Sequence, residues 1–246
     1  MCTTGWIKTK KGFIVFKNRD RLPDENINSN YFTNEGGVVF FGDRKFNGSW
    51  IGINKLGVAI THSFGPNRDV PEGYSQNENF LLNKTILEKA QSLDEATNLY
   101  KDLFIKEKIG KSYNVMICDG TKSNVFEFIL DNYCMKESND CALRSNHFHI
   151  MEDYNVDEKV VCRSKKRLLR MKSLLKNVES GQDLIPILKS HSENGKENIC
   201  RHDYAVTVGS VIMELKDGLI EVHHILNKSP CEGDYVNETI KIQNVY

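Results

Sequence analysis

The order of hydrophobic periodicities constrains the fold of this chain more than any other feature. Period-two runs come in blocks, and helical periods come in pairs between them. Residues 3–7 and 12–16 are β-rich and separated by Lys8-Thr-Lys-Lys11, which predicts a hairpin. Residues 38–41, 50–53 and 57–61 predict further strands, the last two joined through Asn54-Lys-Leu-Gly57. The period then changes. Phe80, Leu81, Lys84, Ile86, Leu87 and Ala90 predict a helix, and Ser92-Leu-Asp-Glu95 is a capping box that opens a second one running through Phe104. Residues 113–118 and 124–130 return to strand spacing around the turn signal Asp119-Gly120. Residues 162–176 are helical, with Leu168, Met171, Leu174 and Leu175 on one stripe, and residues 183–189 are helical despite Pro186. Residues 204–215 and 219–224 pair across Lys216-Asp-Gly218. Strands, helix pairs and strands again argue an α+β fold of two mainly antiparallel sheets, packed face to face with helices outside. That arrangement is expected to bury Cys2 at the end of a central strand.

A chain of 246 residues fits one sizeable domain or two small ones. No internal repeat or long linker interrupts it, so a single domain over residues 1–246 is expected. Lys plus Arg (33) equals Asp plus Glu (33), and no basic patch carries interleaved aromatics, which argues against nucleic-acid binding. No apolar run reaches about 18 residues and no signal peptide is visible, so neither a membrane span nor export is expected. A cytoplasmic location follows as an expectation. The seven cysteines include no C-x-x-C pair and are odd in number, which supports reduced thiols rather than a disulfide framework. Cys118 sits in an apolar run and is expected in the core. Neither His147-Phe-His149 nor His223-His224 has partners at metal-ligand spacing, so no metal and no cofactor are expected.

Against this background Cys2 stands out, because methionine is removed when a small residue follows it. A terminal cysteine carries a thiol and an α-amine on one small frame. In model compounds these titrate at about 8.5 and about 7.7–8.0. The amine can therefore take the thiol proton, making a self-contained nucleophile and base. A small second residue also favours methionine removal with no catalytic consequence.

The opening Met-Cys-Thr-Thr-Gly-Trp and the segment Val15-Phe-Lys-Asn-Arg-Asp20 resemble N-terminal-cysteine amide hydrolases. Arg144-Ser-Asn-His-Phe148 and Ser164-Lys-Lys-Arg167-Leu-Leu-Arg170 resemble the corresponding segments of the acyl-coenzyme A:6-aminopenicillanic acid acyltransferase family. So do Ile199-Cys-Arg-His202, Thr207-Val-Gly-Ser210-Val-Ile and Ser229-Pro-Cys231. The ordered set runs over nearly the whole chain. It implies the four-layer α/β/β/α sandwich of the N-terminal-nucleophile hydrolases, related to bile-salt hydrolases and penicillin V acylases. A rival resemblance is to the Asn-Arg-Asp-Glu family, carried by Asn18-Arg-Asp20 and by Gly48-Ser-Trp-Ile-Gly-Ile-Asn54, but Arg21 replaces its glutamate.

The resemblance to the acyltransferase family implies cleavage of a small-molecule linear amide through a Cys2 thioester, resolved by water or by an amine acceptor. Asp20 would orient the α-ammonium group, Asn146 would donate its amide to the oxyanion, and Arg167 would support the site. The arginine that related enzymes carry three residues before the aspartate is Lys17 here, while Arg19 adjoins Asp20, so both are candidates to steady the thiolate. A backbone N–H from residues 74–79 would complete the oxyanion hole. The fungal acyltransferase cuts itself out of a precursor, whereas here loss of Met1 is expected to suffice. Plainer readings exist for each residue. Asp20 fits a turn before Arg21-Leu-Pro23, Asn146 fits a strand end, and Arg167 fits a solvated basic face with Lys165, Lys166 and Arg170. A binding module that keeps the fold without the chemistry is the alternative of a different class.

Overall fold

The computed structural model describes residues 2–22, 30–45, 47–66, 69–74, 79–193, 195 and 197–241. The chain begins with β1 (Cys2–Thr9), β2 (Gly12–Arg21), β3 (Asn30–Glu35), β4 (Val38–Asp43), β5 (Gly48–Asn54) and β6 (Ala59–Phe64). Helices α1 (Phe80–Lys89) and α2 (Leu93–Lys106) follow, then β7 (Tyr113–Cys118), β8 (Ser123–Ile129), β9 (Asn132–Ser138) and β10 (Cys141–Arg144). Helices α3 (Glu158–Leu174) and α4 (Gly181–Leu188) lead to β11 (Val206–Lys216), β12 (Leu219–Leu226) and β13 (Val236–Lys241). Among the described residues no helix is long and apolar enough to cross a membrane.

Two antiparallel sheets result. A six-stranded sheet runs β10-β1-β2-β11-β12-β13, and a seven-stranded sheet runs β3-β4-β5-β6-β7-β8-β9. Strand alternation explains the layers. On β2, Phe13 and Val15 join Trp6, Val211 and Met213 against Phe41, Ile51 and Ile53 between the sheets. Their neighbours Ile14 and Phe16 face outward onto Leu168, Met171, Leu184 and Leu188 of α3 and α4. On the other sheet, Val38, Phe40 and Ile60 pack on Leu82, Ile86, Ala96 and Tyr100 of α1 and α2. These three apolar layers make the α/β/β/α sandwich expected from the sequence.

Every predicted strand and helix is present, with bounds shifted by a few residues. Ser92 caps α2 by accepting from the Glu95 N–H, while the Glu95 carboxylate reaches one residue past the cap to the Gln91 N–H instead of closing the expected box on Ser92. The turn between β11 and β12 holds Asp217 and Gly218 at φ 49° and 74°, a left-handed pair that favours glycine at its second position. Strands β3, β9, β10 and β13 were not predicted. They are the four edges of the two sheets. An edge strand pairs on one side only, and β9 and β13 are mostly exposed, so little apolar alternation is imposed on them.

The segment after β10 is held by a buried carboxylate. Glu127 on β8 accepts from the backbone N–H groups of His149, Ile150 and Met151 at 2.7, 2.8 and 2.9 Å, and its oxygen lies 3.6 Å from Arg144 Nε. Removing it strands three donors and a buried guanidinium together. Glu127→Ala is expected to lower the unfolding free energy by about 3–5 kcal/mol, measured by urea denaturation.

Candidate active site

The polarity of β2 changes along its length. Its first half is apolar, and its second half is Lys17-Asn-Arg-Asp20, with all four side chains buried. Lys17 and Arg19 continue the face of Phe13 and Val15 between the sheets. Asn18 and Asp20 continue the face of Ile14 and Phe16 toward the helices. Cys2 is opposite Arg19 in the β1–β2 register, and Thr4 is opposite Lys17. Directly paired residues share a face, so the Cys2 thiol lies on the inter-sheet side with Arg19. Cys2 is 3% exposed. Its strand lies between β10 and β2, one strand in from the sheet edge rather than at the centre expected from the sequence.

The ladder between β1 and β10 stops at Thr4 and Arg144. Its register would next bring Asn146 opposite Cys2, and there the asparagine side chain replaces the backbone. The Cys2 N–H donates to Asn146 Oδ1 at 3.1 Å. Arg167 Nη2 donates to the same oxygen at 2.8 Å, and Asn146 Nδ2 donates to the Phe64 carbonyl at 2.9 Å. Two donors on one side and a carbonyl on the other fix the orientation of the amide. Ser145 Oγ donates to the Cys2 carbonyl at 3.2 Å and accepts from Arg167. Ser63 Oγ and Asn114 Nδ2 of the opposite sheet both donate to the Ser145 carbonyl. Residues 145–147 thus join the start of β1 to the second sheet.

The two candidate cations differ in their surroundings. Lys17 Nζ donates to the carbonyls of Trp50 and His62 at 3.3 and 2.6 Å. Arg19 pairs with Asp43, which also accepts from Arg21 at 3.3 Å, and its guanidinium lies 5.5 Å from the Trp50 ring. Burial, followed by Arg21, lowers the Arg19 pKa to about 10, while Asp43 and Cys2 act in the other direction. Asp20 Oδ1 accepts from Thr207 Oγ1 at 2.8 Å, and Oδ2 lies 3.6 Å from Arg201 Nη1. Arg167 is 3% exposed, unlike its exposed neighbours Lys165 and Lys166, so the solvated basic face does not include it. Desolvation lowers its pKa; Asp20 and Cys2 are among the groups that raise it. The structure therefore brings Cys2, Arg19, Asn146 and Arg167 together, with Asp20 beside them and Lys17 bound to carbonyls of the opposite sheet.

Sequence reasoning assigned no role to several residues of this network. Asp43 had no motif to mark it. Arg201 and Thr207 lay inside quoted motifs, and their common contact is Asp20. Ser164 Oγ accepts from the Asn146 N–H at 2.8 Å, one helical turn from Arg167 on α3. Of residues 74–79, expected to supply a backbone donor, residues 75–78 lie outside the described residues. Apart from this site, His191, Cys200, His202 and Cys231 converge in space with no spacing signal in the sequence.

A family model described as acyl-coenzyme A:6-aminopenicillanic acid acyl-transferase matches residues 7–221. The matched stretch begins after Cys2. A mutant of the conjugated bile acid hydrolase from Clostridium perfringens is similar in structure, with 14% identity and a TM-score of 0.57, covering 98% of this chain and 97% of that one. The Caenorhabditis elegans ortholog of N-acylethanolamine-hydrolyzing acid amidase aligns with a TM-score of 0.59 and 13% identity, over 86% of this chain and 92% of that one. Penicillin V acylase from Agrobacterium tumefaciens aligns at 0.52 and 11% identity, over 90% and 82%. At these identities the likeness is one of fold. No protein of curated description matches in sequence.

Three histidines border the site and are held neutral. Burial, followed by Lys17, Arg19 and Arg21, keeps His62 well below the ordinary imidazole range. Burial, followed by Lys165 and Arg144, brings His147 to about 4, and burial with Arg144 brings His149 to about 3. In the unfolded chain each takes its proton near about 6.5. Between about pH 6.5 and 4 the unfolded state therefore binds more protons, and stability falls as pH falls. Urea unfolding from pH 7.5 to 4.5 is expected to show this decline. His147→Gln is expected to flatten it.

Proposed function

The chain belongs to the acyl-coenzyme A:6-aminopenicillanic acid acyl-transferase family, and on that premise we propose that it cleaves a linear amide through a Cys2 thioester. The observation that carries the reading is the Cys2 nitrogen on Asn146 Oδ1, 3.1 Å away, beside a buried cationic cluster. Once Met1 is removed, that nitrogen is an amine positioned by an acceptor. It takes the thiol proton as sulfur attacks the amide carbonyl, and returns it to the departing amine. Water or an acceptor amine then attacks the thioester, and the thiol is restored.

Supporting roles follow from charge. Lys17, Arg19, Arg21, Arg167 and Arg201 are all buried here, against the carboxylates of Asp20 and Asp43. The excess positive charge favours a thiolate and an oxyanion over their neutral precursors. Arg19, across the ladder from Cys2, is the cation we assign to the sulfur, and Lys17 ties the sheets together through two carbonyls. Asp20, next along β2, balances the α-ammonium and is itself aligned by Arg201 and Thr207. Asn146 holds the amine through Oδ1, and one Nδ2 hydrogen beyond that given to Phe64 is left for the oxyanion. Arg167 fixes the Asn146 carbonyl.

Several outcomes test this reading. Intact mass is expected to show loss of Met1, and quenched reactions an acyl adduct on the N-terminal peptide. A panel of N-acyl amino acids, bile-acid conjugates and penicillins, with and without amine acceptors, is the assay. Asn146→Ala is expected to lower kcat by about 100-fold or more, and Asp20→Asn to lower it strongly with the fold retained. Cys2→Ala is expected to be inactive, whereas Cys118→Ser stays active. Full turnover by Cys2→Ala would remove the thioester, whereas a wild type that keeps Met1 and turns over none of the panel would leave a binding module of the same fold.

A further inference from the structure

Away from Cys2, four side chains of two soft-ligand types meet at one point. The ligand atoms of His191, Cys200, His202 and Cys231 all lie within 4.8 Å of one another. The sulfurs of Cys200 and Cys231 are 3.3 Å apart, too far for a disulfide bond of about 2.05 Å. His202 Nε2 is 3.0 Å from the Cys231 sulfur and 3.7 Å from that of Cys200. A tetrahedral zinc ion with sulfur at about 2.3 Å and nitrogen at about 2.0–2.1 Å sets its ligand atoms about 3.3–3.8 Å apart. The observed spacings surround that range.

We propose that His191, Cys200, His202 and Cys231 form a structural Cys₂His₂ site for a zinc-class divalent ion. The ring orientation supports it. His202 turns Nε2 to the sulfurs, which leaves Nδ1 on the side of Glu232, whose carboxylate oxygen is 4.0 Å away. Access supports it too. Cys200 is buried and Cys231 half-buried, while both histidines are exposed, so an ion can enter from solvent and find sulfur behind. On binding, each thiol gives its proton to solvent as a metal–sulfur bond forms, and two neutral imidazoles complete a site of zero net charge.

The location gives the ion a task. Cys200 and His202 flank Arg201, whose guanidinium lies 3.6 Å from Asp20. Cys231 belongs to a short turn after β12, and His191 to the loop after α4. The loop closes on itself through the Ser190 carbonyl, which accepts from the N–H groups of Ile199 and Cys200. One ion would therefore clamp both backbone neighbours of Arg201 to two other parts of the chain and hold that arginine against Asp20. The metal site does not rest on the chemistry proposed for Cys2, because none of its four ligands takes part in the thioester.

The test uses the full chain, purified under reducing conditions without added chelator. Elemental analysis is expected to find about one zinc per chain. After chelation, cobalt(II) titration is expected to give a tetrahedral spectrum with thiolate-to-metal charge transfer, and zinc is expected to raise the melting temperature in a concentration-dependent way. Cys231→Ser and His202→Ala should each weaken zinc binding by at least about 100-fold, and Cys118→Ser should not change it. Cys231 and His202 are not in the core, and circular dichroism will report whether the variants fold. The wild-type cobalt spectrum tests the site even if they do not. Reduced wild type that binds neither metal would overturn the proposal. So would a chain isolated anaerobically that is lighter by two hydrogens with Cys200 and Cys231 bonded, or a cobalt spectrum unchanged in both folded variants.

Discussion

Four consecutive polar side chains, Lys17 through Asp20, are buried at the end of β2, and each must find its partner in a different part of the chain. Lys17 reaches carbonyls on β5 and β6, and Arg19 reaches Asp43 on β4. Asn18 donates to the carbonyls of Leu188 and Ile199 at 2.9 and 3.0 Å, and Asp20 meets Arg201 and Thr207. Breaking a buried ion pair leaves a charge that costs about 3–5 kcal/mol, a large part of a total stability of about 5–15 kcal/mol. The alternation of a strand sends odd positions to the opposite sheet and even positions to the helix layer. One strand therefore draws its own sheet, the opposite sheet and the helix layer behind it together at the end where Cys2 begins.

The same constraint shapes the surroundings of Cys2. Strand β10 stops at Arg144, so the nitrogen of Cys2 meets a side-chain carbonyl instead of a ladder partner. A side-chain acceptor leaves that nitrogen free to become an amine without unravelling a sheet. Asn146 is held on each side, by Arg167 and by the Phe64 carbonyl, and its own N–H is held by Ser164. A site of this kind is pre-organised before any ligand arrives, because the groups that hold Asn146 already pair with it in a low-dielectric interior.

Legibility in the sequence followed the physics of burial. Interior strands were readable because both faces are covered and apolar residues recur at fixed spacing. Strands β3, β9, β10 and β13 were not, because a sheet edge is half-solvated and tolerates polar residues such as those of Asn132–Ser138. Arg167 shows a similar limit. Its neighbours Lys165 and Lys166 are exposed, and a local reading of charge gives all of them one solvated face. The helical offset of three residues that puts Arg167 with Ser164 on the buried face depends on which face α3 turns inward.

The sequence by itself determined the α+β class, the interior strands and helices with their turns, and the set of motifs that carries the family. These follow from local periodicity, capping and turn chemistry, which act over a few residues. Only the tertiary structure decided that Asn146 meets the Cys2 nitrogen 144 residues away, that Arg19 rather than Lys17 is paired with Cys2 in the β1–β2 register, and that Arg201 attends Asp20. It also decided that His191, Cys200, His202 and Cys231 converge, although the last is 29 residues from its nearest partner in the chain. Such contacts are set by strand register and by loops returning to one end of a sandwich. Neither leaves a periodic trace in the residues themselves.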